Sequence, residues 1–134
     1  MNISKIYKII IILYTLLLLY WMFVGFGRET SSVNIVRLKP ILSSIEYYKQ
    51  APFKSIIINL FGNIIVFIPF GFLGILYSKF NNFKTLIIYF LSGIIIVEFL
   101  QYITRRGVFD IDDIVLNSLG VFIGFKIYKH IIKT

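Results

Sequence analysis

Residues 55 to 78 read S-I-I-I-N-L-F-G-N-I-I-V-F-I-P-F-G-F-L-G-I-L-Y-S, with no charged side chain anywhere in the run. As an α-helix rising about 1.5 Å per residue, this stretch reaches about 36 Å, enough to cross a hydrocarbon core about 30 Å thick. Two neighbouring runs share the property. Ile9–Gly27 carries no charge, and Thr85–Thr104 carries only Glu98. A fourth run, from Ile111 to Ile132, has a short uncharged core at Ile114–Phe125, and Lys126 and Lys129 stand where they can snorkel to the membrane surface. None of these runs alternates with period two, which excludes a membrane β-barrel. The sequence therefore predicts an all-α fold. It is a single-domain integral membrane bundle of four transmembrane helices at about residues 9–27, 55–78, 85–104 and 111–132.

Composition points the same way. The chain has 134 residues, 58% of them hydrophobic and only 15% charged, against about 25% charged in soluble domains. A soluble domain of this size buries only about two-thirds of its surface, too little to hide this much Ile, Leu and Phe. There is no cysteine and a single histidine, His130. No disulfide framework, thiolate metal site, histidine zinc centre or Ser–His–Asp triad is expected, and no cofactor. The net charge of +8 sits at the ends of the apolar runs, which suits anionic lipid head groups. No basic stripe or stacking motif supports nucleic-acid binding.

The first run, with Lys5 and Lys8 before it, has the outline of a signal peptide. It is longer than a usual signal core and no small-x-small site follows it, so an uncleaved span is expected. The loop Arg28–Lys54 is long, and its piece Ile41–Tyr48 is expected to lie on the membrane surface. Ser78–Lys84 is a tight loop with Asn81 and Asn82 as turn formers, and Gly107 is the expected turn of the third loop. Basic residues divide seven to seven between the two sides, so the positive-inside rule is tied. The terminal side has no acidic residue to offset its lysines, and both termini are expected in the cytoplasm. Tyr14, Tyr20 and Trp21 are expected to face lipid or the interface.

Polar residues inside the spans fall into register. Asn59 and Asn63 are one turn apart, as are Glu98 and Gln101. Asp113, Asn117, Gly120 and Gly124 form one stripe at i, i+4, i+7 and i+11. By helical rise, Asn63 lies about 13 Å below Lys54, Glu98 about 10 Å from Arg105 and Asn117 about 6 Å from Asp113. Three helices thus place polar groups in one leaflet, beneath a loop that holds Arg105, Arg106, Asp110, Asp112 and Asp113. An ionisable group in a span costs about 3 kcal/mol on insertion scales, so Glu98 is expected to face the bundle or a water-filled pocket and to meet a group from another helix. The candidate binding residues are Asn59, Asn63, Glu98, Gln101, Arg105, Arg106, Asp110, Asp113 and Asn117. Intramembrane amides also glue helices together, and that reading stands beside the functional one. Pro69, Gly71, Gly120 and Gly124 are read as kink and helix-packing positions.

The order of these residues resembles the VanZ-like family. Asn59-Leu-Phe-Gly-Asn63 through Pro69-Phe-Gly71 is similar to one family signature. Ser92, Glu98 and Gln101, then Arg106, Asp110, Asp113, Asn117, Gly120 and Gly124, are similar to the other. The resemblance covers about half the chain directly. It implies a small multi-helix bacterial membrane protein, and its founding member is associated with reduced susceptibility to the glycopeptide teicoplanin without alteration of the peptidoglycan target. The expected partners are membrane lipid and a cell-wall precursor or lipoglycopeptide held in the polar pocket. Oligomeric state stays open, a homo-oligomer included. The alternative is a membrane enzyme that uses Glu98 and Asp113 as acid and base. No nucleophile is evident, since Ser92 lies about 120° around its helix from Glu98.

Overall fold

The computed structural model describes residues 2–25, 29–38, 45 and 49–133. Four helices dominate it: α1 (Ile3–Phe23), α2 (Phe53–Phe67), α3 (Phe83–Ile103) and α4 (Ile111–Lys133). The surface piece expected at Ile41–Tyr48 falls, but for Ile45, outside the described residues.

Helix boundaries follow local chemistry more than hydropathy. α1 begins six residues before the expected Ile9 because Asn2 caps it, its side chain accepting from the Ser4 amide at 3.3 Å. Lys5 and Lys8 lie within the helix, which tolerates charge at its ends. It stops at Phe23, short of the expected Gly27. α3 is capped in the same way by Asn82, which accepts from the Thr85 amide at 3.3 Å. α2 loses its α-helical pitch at Pro69, which has no N–H to donate, and continues as a 3-10 helix over Ile68–Ile75. A single 3-10 turn, Ser78–Asn81, then leads into α3.

Among the described residues, three helical segments are long and apolar enough to cross a membrane: Ile3–Phe23, Phe53–Ile75 and Phe83–Ile103. α4 differs. It carries Asp112, Asp113, Lys126 and Lys129, and it packs one face against α2, α3 and the 3-10 segment. Asn117, Gly120, Val121, Gly124, Phe125 and Tyr128 are all buried, at the i, i+3, i+4, i+7 spacing of one continuous helical face. The opposite face of α4, with Val115, Leu119, Phe122 and Ile127, is exposed and apolar.

α4 meets α2 and the 3-10 segment through backbone contact. A Cβ on Gly120 would strike the Ile64 carbonyl oxygen, one on Gly124 the Ile68 carbonyl oxygen, and one on Gly71 the backbone of Gly124 and Phe125. Close approach through small residues is how helices associate in lipid, where no hydrophobic drive exists between them. Around this seam Phe67, Phe70 and Phe90 pack with ring centroids 5.5–6.3 Å apart. α1 joins through two hydroxyls: Tyr7 donates to the Pro69 carbonyl and Tyr14 to the Val66 carbonyl, each at 2.6 Å. Tyr14 thus faces inward rather than toward lipid, because the change of pitch near Pro69 leaves carbonyls in need of donors. Tyr20 and Trp21 are exposed.

Two short strands, β1 (Val36–Arg37) and β2 (Phe109–Asp110), pair in parallel, with Val36 opposite Phe109 and Arg37 opposite Asp110. This ladder lays the first loop over the α3–α4 connection.

Candidate functional site

α3 ends in a chain reversal that aims the third loop. The Arg106 amide donates to the Gln101 carbonyl at 3.0 Å and the Arg105 amide to the Tyr102 carbonyl at 3.2 Å. This is the paired closing pattern of a helix C-terminus whose pivotal residue is left-handed, commonly glycine. Here that residue is Arg105, at φ 56°. The turn expected at Gly107 falls two residues earlier, on a side chain that resists the conformation by about 1–2 kcal/mol. Arg105 then donates through Nε to Asn34 Oδ1 at 3.0 Å, tying the two loops.

Asp110 fixes the start of α4. Its Oδ1 accepts from the Asp112 amide at 3.0 Å, and its Oδ2 lies 3.5 Å from Arg37 Nη1. One buried carboxylate therefore joins the helix N-terminus to β1. One turn into α4, Asp113 Oδ1 accepts from Asn63 Nδ2 at 2.8 Å, and the same Asn63 amide donates to Asn59 Oδ1 at 3.1 Å. That chain of polar groups bridges α2 and α4. From α3, Gln101 Nε2 donates to the Met22 carbonyl at 2.7 Å and Arg106 Nη1 to the Phe23 carbonyl at 3.1 Å. These are terminal carbonyls of α1, which have no partner within their own helix. Gln101 and Arg106 thus have a structural duty as well as a place at the site.

Between these elements lies a cavity of about 820 Å³. Asn59, Asn63, Glu98, Gln101, Arg105, Arg106, Asp110, Asp113 and Asn117 all line it. Glu98 is 3% exposed and Asn117 2% exposed. Asn117 Oδ1 accepts no hydrogen bond from the described residues. Such a buried, unsatisfied acceptor costs about 1–3 kcal/mol unless something supplies a donor. Ser92 lies elsewhere, exposed and donating to the Ile88 carbonyl at 2.9 Å. The wall also includes residues that pattern alone did not single out: Trp21, Glu29, Ser55, Gly62 and Arg37. Arg37 was identifiable only through the β1–β2 register, which joins positions more than seventy residues apart. Among the described residues, no group of three or more His, Cys, Asp or Glu side chains gathers as a metal site.

A family model described as VanZ/LLP1 matches residues 7–133. The chain belongs to the VanZ/LLP1 family. Protein VanZ of Enterococcus faecium is 32% identical over 94 residues, a match that covers 66% of this chain and 58% of that relative. The chain thus spans little more than half the length of the curated relative it matches. No solved structure matches it. With three apolar helices of spanning length, this VanZ/LLP1 member is an integral membrane protein.

In this VanZ/LLP1 chain the cavity wall has a layered charge. Arg37 and Asp110 come from the β1–β2 ladder, and Glu29, Arg105 and Arg106 from the segments around it. The amides and carboxyls of Asn63, Glu98, Asp113 and Asn117 come from helices below. The upper layer thus carries three guanidinium groups against two carboxylates, and the lower layer amides and carboxyls.

Proposed function

We propose that the cavity binds the polar head of an anionic cell-envelope amphiphile, the class that includes lipid head groups, cell-wall precursors and lipoglycopeptides. The observation that supports this best is Asn117. Its buried Oδ1 has no donor among the described residues, in a cavity lined by Arg37, Arg105 and Arg106. An occupant with a phosphate or carboxylate for the guanidinium groups and a hydroxyl or ammonium for Asn117 satisfies both. Taking both termini as cytoplasmic and α4 as a fourth crossing beside the three apolar helices, we place the cavity mouth on the outer face, where glycopeptides arrive. On this reading the chain contributes to teicoplanin resistance by engaging envelope amphiphiles at that face.

Arg105→Ala is the test: the side chain is exposed, and its hydrogen bond to Asn34 ties only the two loops. Lipid extracted from the purified variant should contain several-fold less anionic lipid than wild type, and host susceptibility to teicoplanin should shift in parallel. Equal lipid retention would sink the reading. Glu98 and Asp113, carboxyl groups from two helices in one cavity, support a second reading as an enzyme acting on a lipid or envelope substrate. Turnover of a labelled lipid in proteoliposomes that is lost in Glu98→Gln, with folding kept, would select it.

A further inference from the structure

A second cavity, of about 290 Å³, lies between α1, the 3-10 segment and α3. It shares Leu18, Met22 and Phe67 with the polar cavity, so the two meet side by side. Its lining is apolar apart from Thr15 and Tyr89. The Thr15 hydroxyl is already donated to the Ile11 carbonyl at 2.6 Å.

One face of α3 links the two. Leu86, Phe90 and Ile94 line the apolar groove, Glu98 and Gln101 continue the same face along the polar cavity, and Arg105 lines that cavity just beyond the helix end. From Leu86 to Val97 the groove follows α3 for about 16 Å, roughly the depth of one leaflet. Hydrocarbon, then hydrogen-bonding groups, then cations is the order of surfaces complementary to an anionic lipid read from tail to phosphate.

We propose that this groove holds an acyl chain of an anionic glycerophospholipid whose head group occupies the polar cavity. The proposal rests on the head-group reading above and adds the tail. Three observations favour this occupant: the groove shares Leu18, Met22 and Phe67 with the polar cavity, it has almost no polar lining, and Arg105 and Arg106 follow directly after the end of α3.

Gly93 makes the groove testable. It lines the groove, and a Cβ there would meet no atom within 4 Å, so a larger side chain has room to enter. Trp21, the single tryptophan of the chain, lines the polar cavity next to the shared residues and reports on a neighbouring chain through bromine quenching. The protein in phosphatidylcholine nanodiscs is doped at equal mole fraction with phosphatidylglycerol or phosphatidylcholine brominated on the acyl chain. Wild type should be quenched in excess by the brominated phosphatidylglycerol. Gly93→Phe should weaken that preference about tenfold, the equivalent of about two buried methylenes, whereas Gly93→Ala should keep it. Should Gly93→Phe fail to fold, Gly93→Leu serves in its place. Equal quenching by the two lipids in wild type would overturn the head-group reading, and the tail with it. A phosphatidylglycerol preference that survives in folded Gly93→Phe or Gly93→Leu would overturn the groove alone.

Discussion

Gly62 and Gly71 stand nine residues apart on the same span and meet opposite surroundings. A Cβ on Gly71 would collide with the backbone of α4, whereas one on Gly62 would meet nothing within 4 Å. The two ends of the α2–α4 pair follow from this. Near Gly71, Gly120 and Gly124 the helices touch backbone to backbone and seal the bundle. Near Gly62, which faces the cavity, they are joined through side chains by the Asn59–Asn63–Asp113 chain of hydrogen bonds. One end is closed by small residues and the other is held open by polar ones. A residue type says little until its partner across the interface is known.

Substitutions at the two ends should separate them sharply. The largest effect is expected for Gly124→Leu, where the side chain has only the Ile68 carbonyl to enter. It should lose more than about 4 kcal/mol, seen as failure to recover a monodisperse, cooperatively melting protein. Survival of that variant would show that the closed end can part. Next comes Asn63→Leu, which removes both hydrogen bonds of the open end. A loss of about 1–2 kcal/mol is expected, measured by thermal unfolding followed by circular dichroism in nanodiscs. A smaller change would mean that the open end is held by packing instead.

Arg105→Gly sharpens the contrast between stability and binding. Glycine relieves the left-handed backbone at φ 56°, so stability should rise by about 1 kcal/mol. Retention of anionic lipid should fall at the same time. Gains in both, or losses in both, would contradict the account of this turn. The smallest effect is expected for Gly62→Ala, within about 0.5 kcal/mol of wild type by the same melting measurement.

Much of this architecture was legible in the sequence because it rests on local patterns. Charge-free runs mark the apolar helices, and the stripe Asp113–Asn117–Gly120–Gly124 gives the inward face of α4 directly. Asn59, Asn63, Glu98 and Gln101 share the cavity because helical spacing and depth in the membrane already restrict where they can lie. Features that depend on distant partners were not legible. The β1–β2 ladder is two residues long and joins remote segments, so neither strand leaves a pattern. Tyr14 looked like an interfacial tyrosine because the carbonyl it serves is 52 positions away. Arg105 occupies a conformation that sequence rules assign to glycine, and the nearby Gly107 drew the expected turn to itself. Gln101 and Arg106 fasten the end of α1, a duty visible only once α1 and α3 are side by side.

The 3-10 pitch of Ile68–Ile75 has a consequence for where the protein resides. Eight residues wound at about 2.0 Å each reach about 16 Å, where an α-helix would reach about 12 Å. The stretch Phe53–Ile75 is therefore longer along its axis than its residue count suggests. Such elongation favours thicker bilayers, or a tilt in thinner ones, so acyl length in the host membrane should bias both the lean of this segment and the protein's lateral sorting.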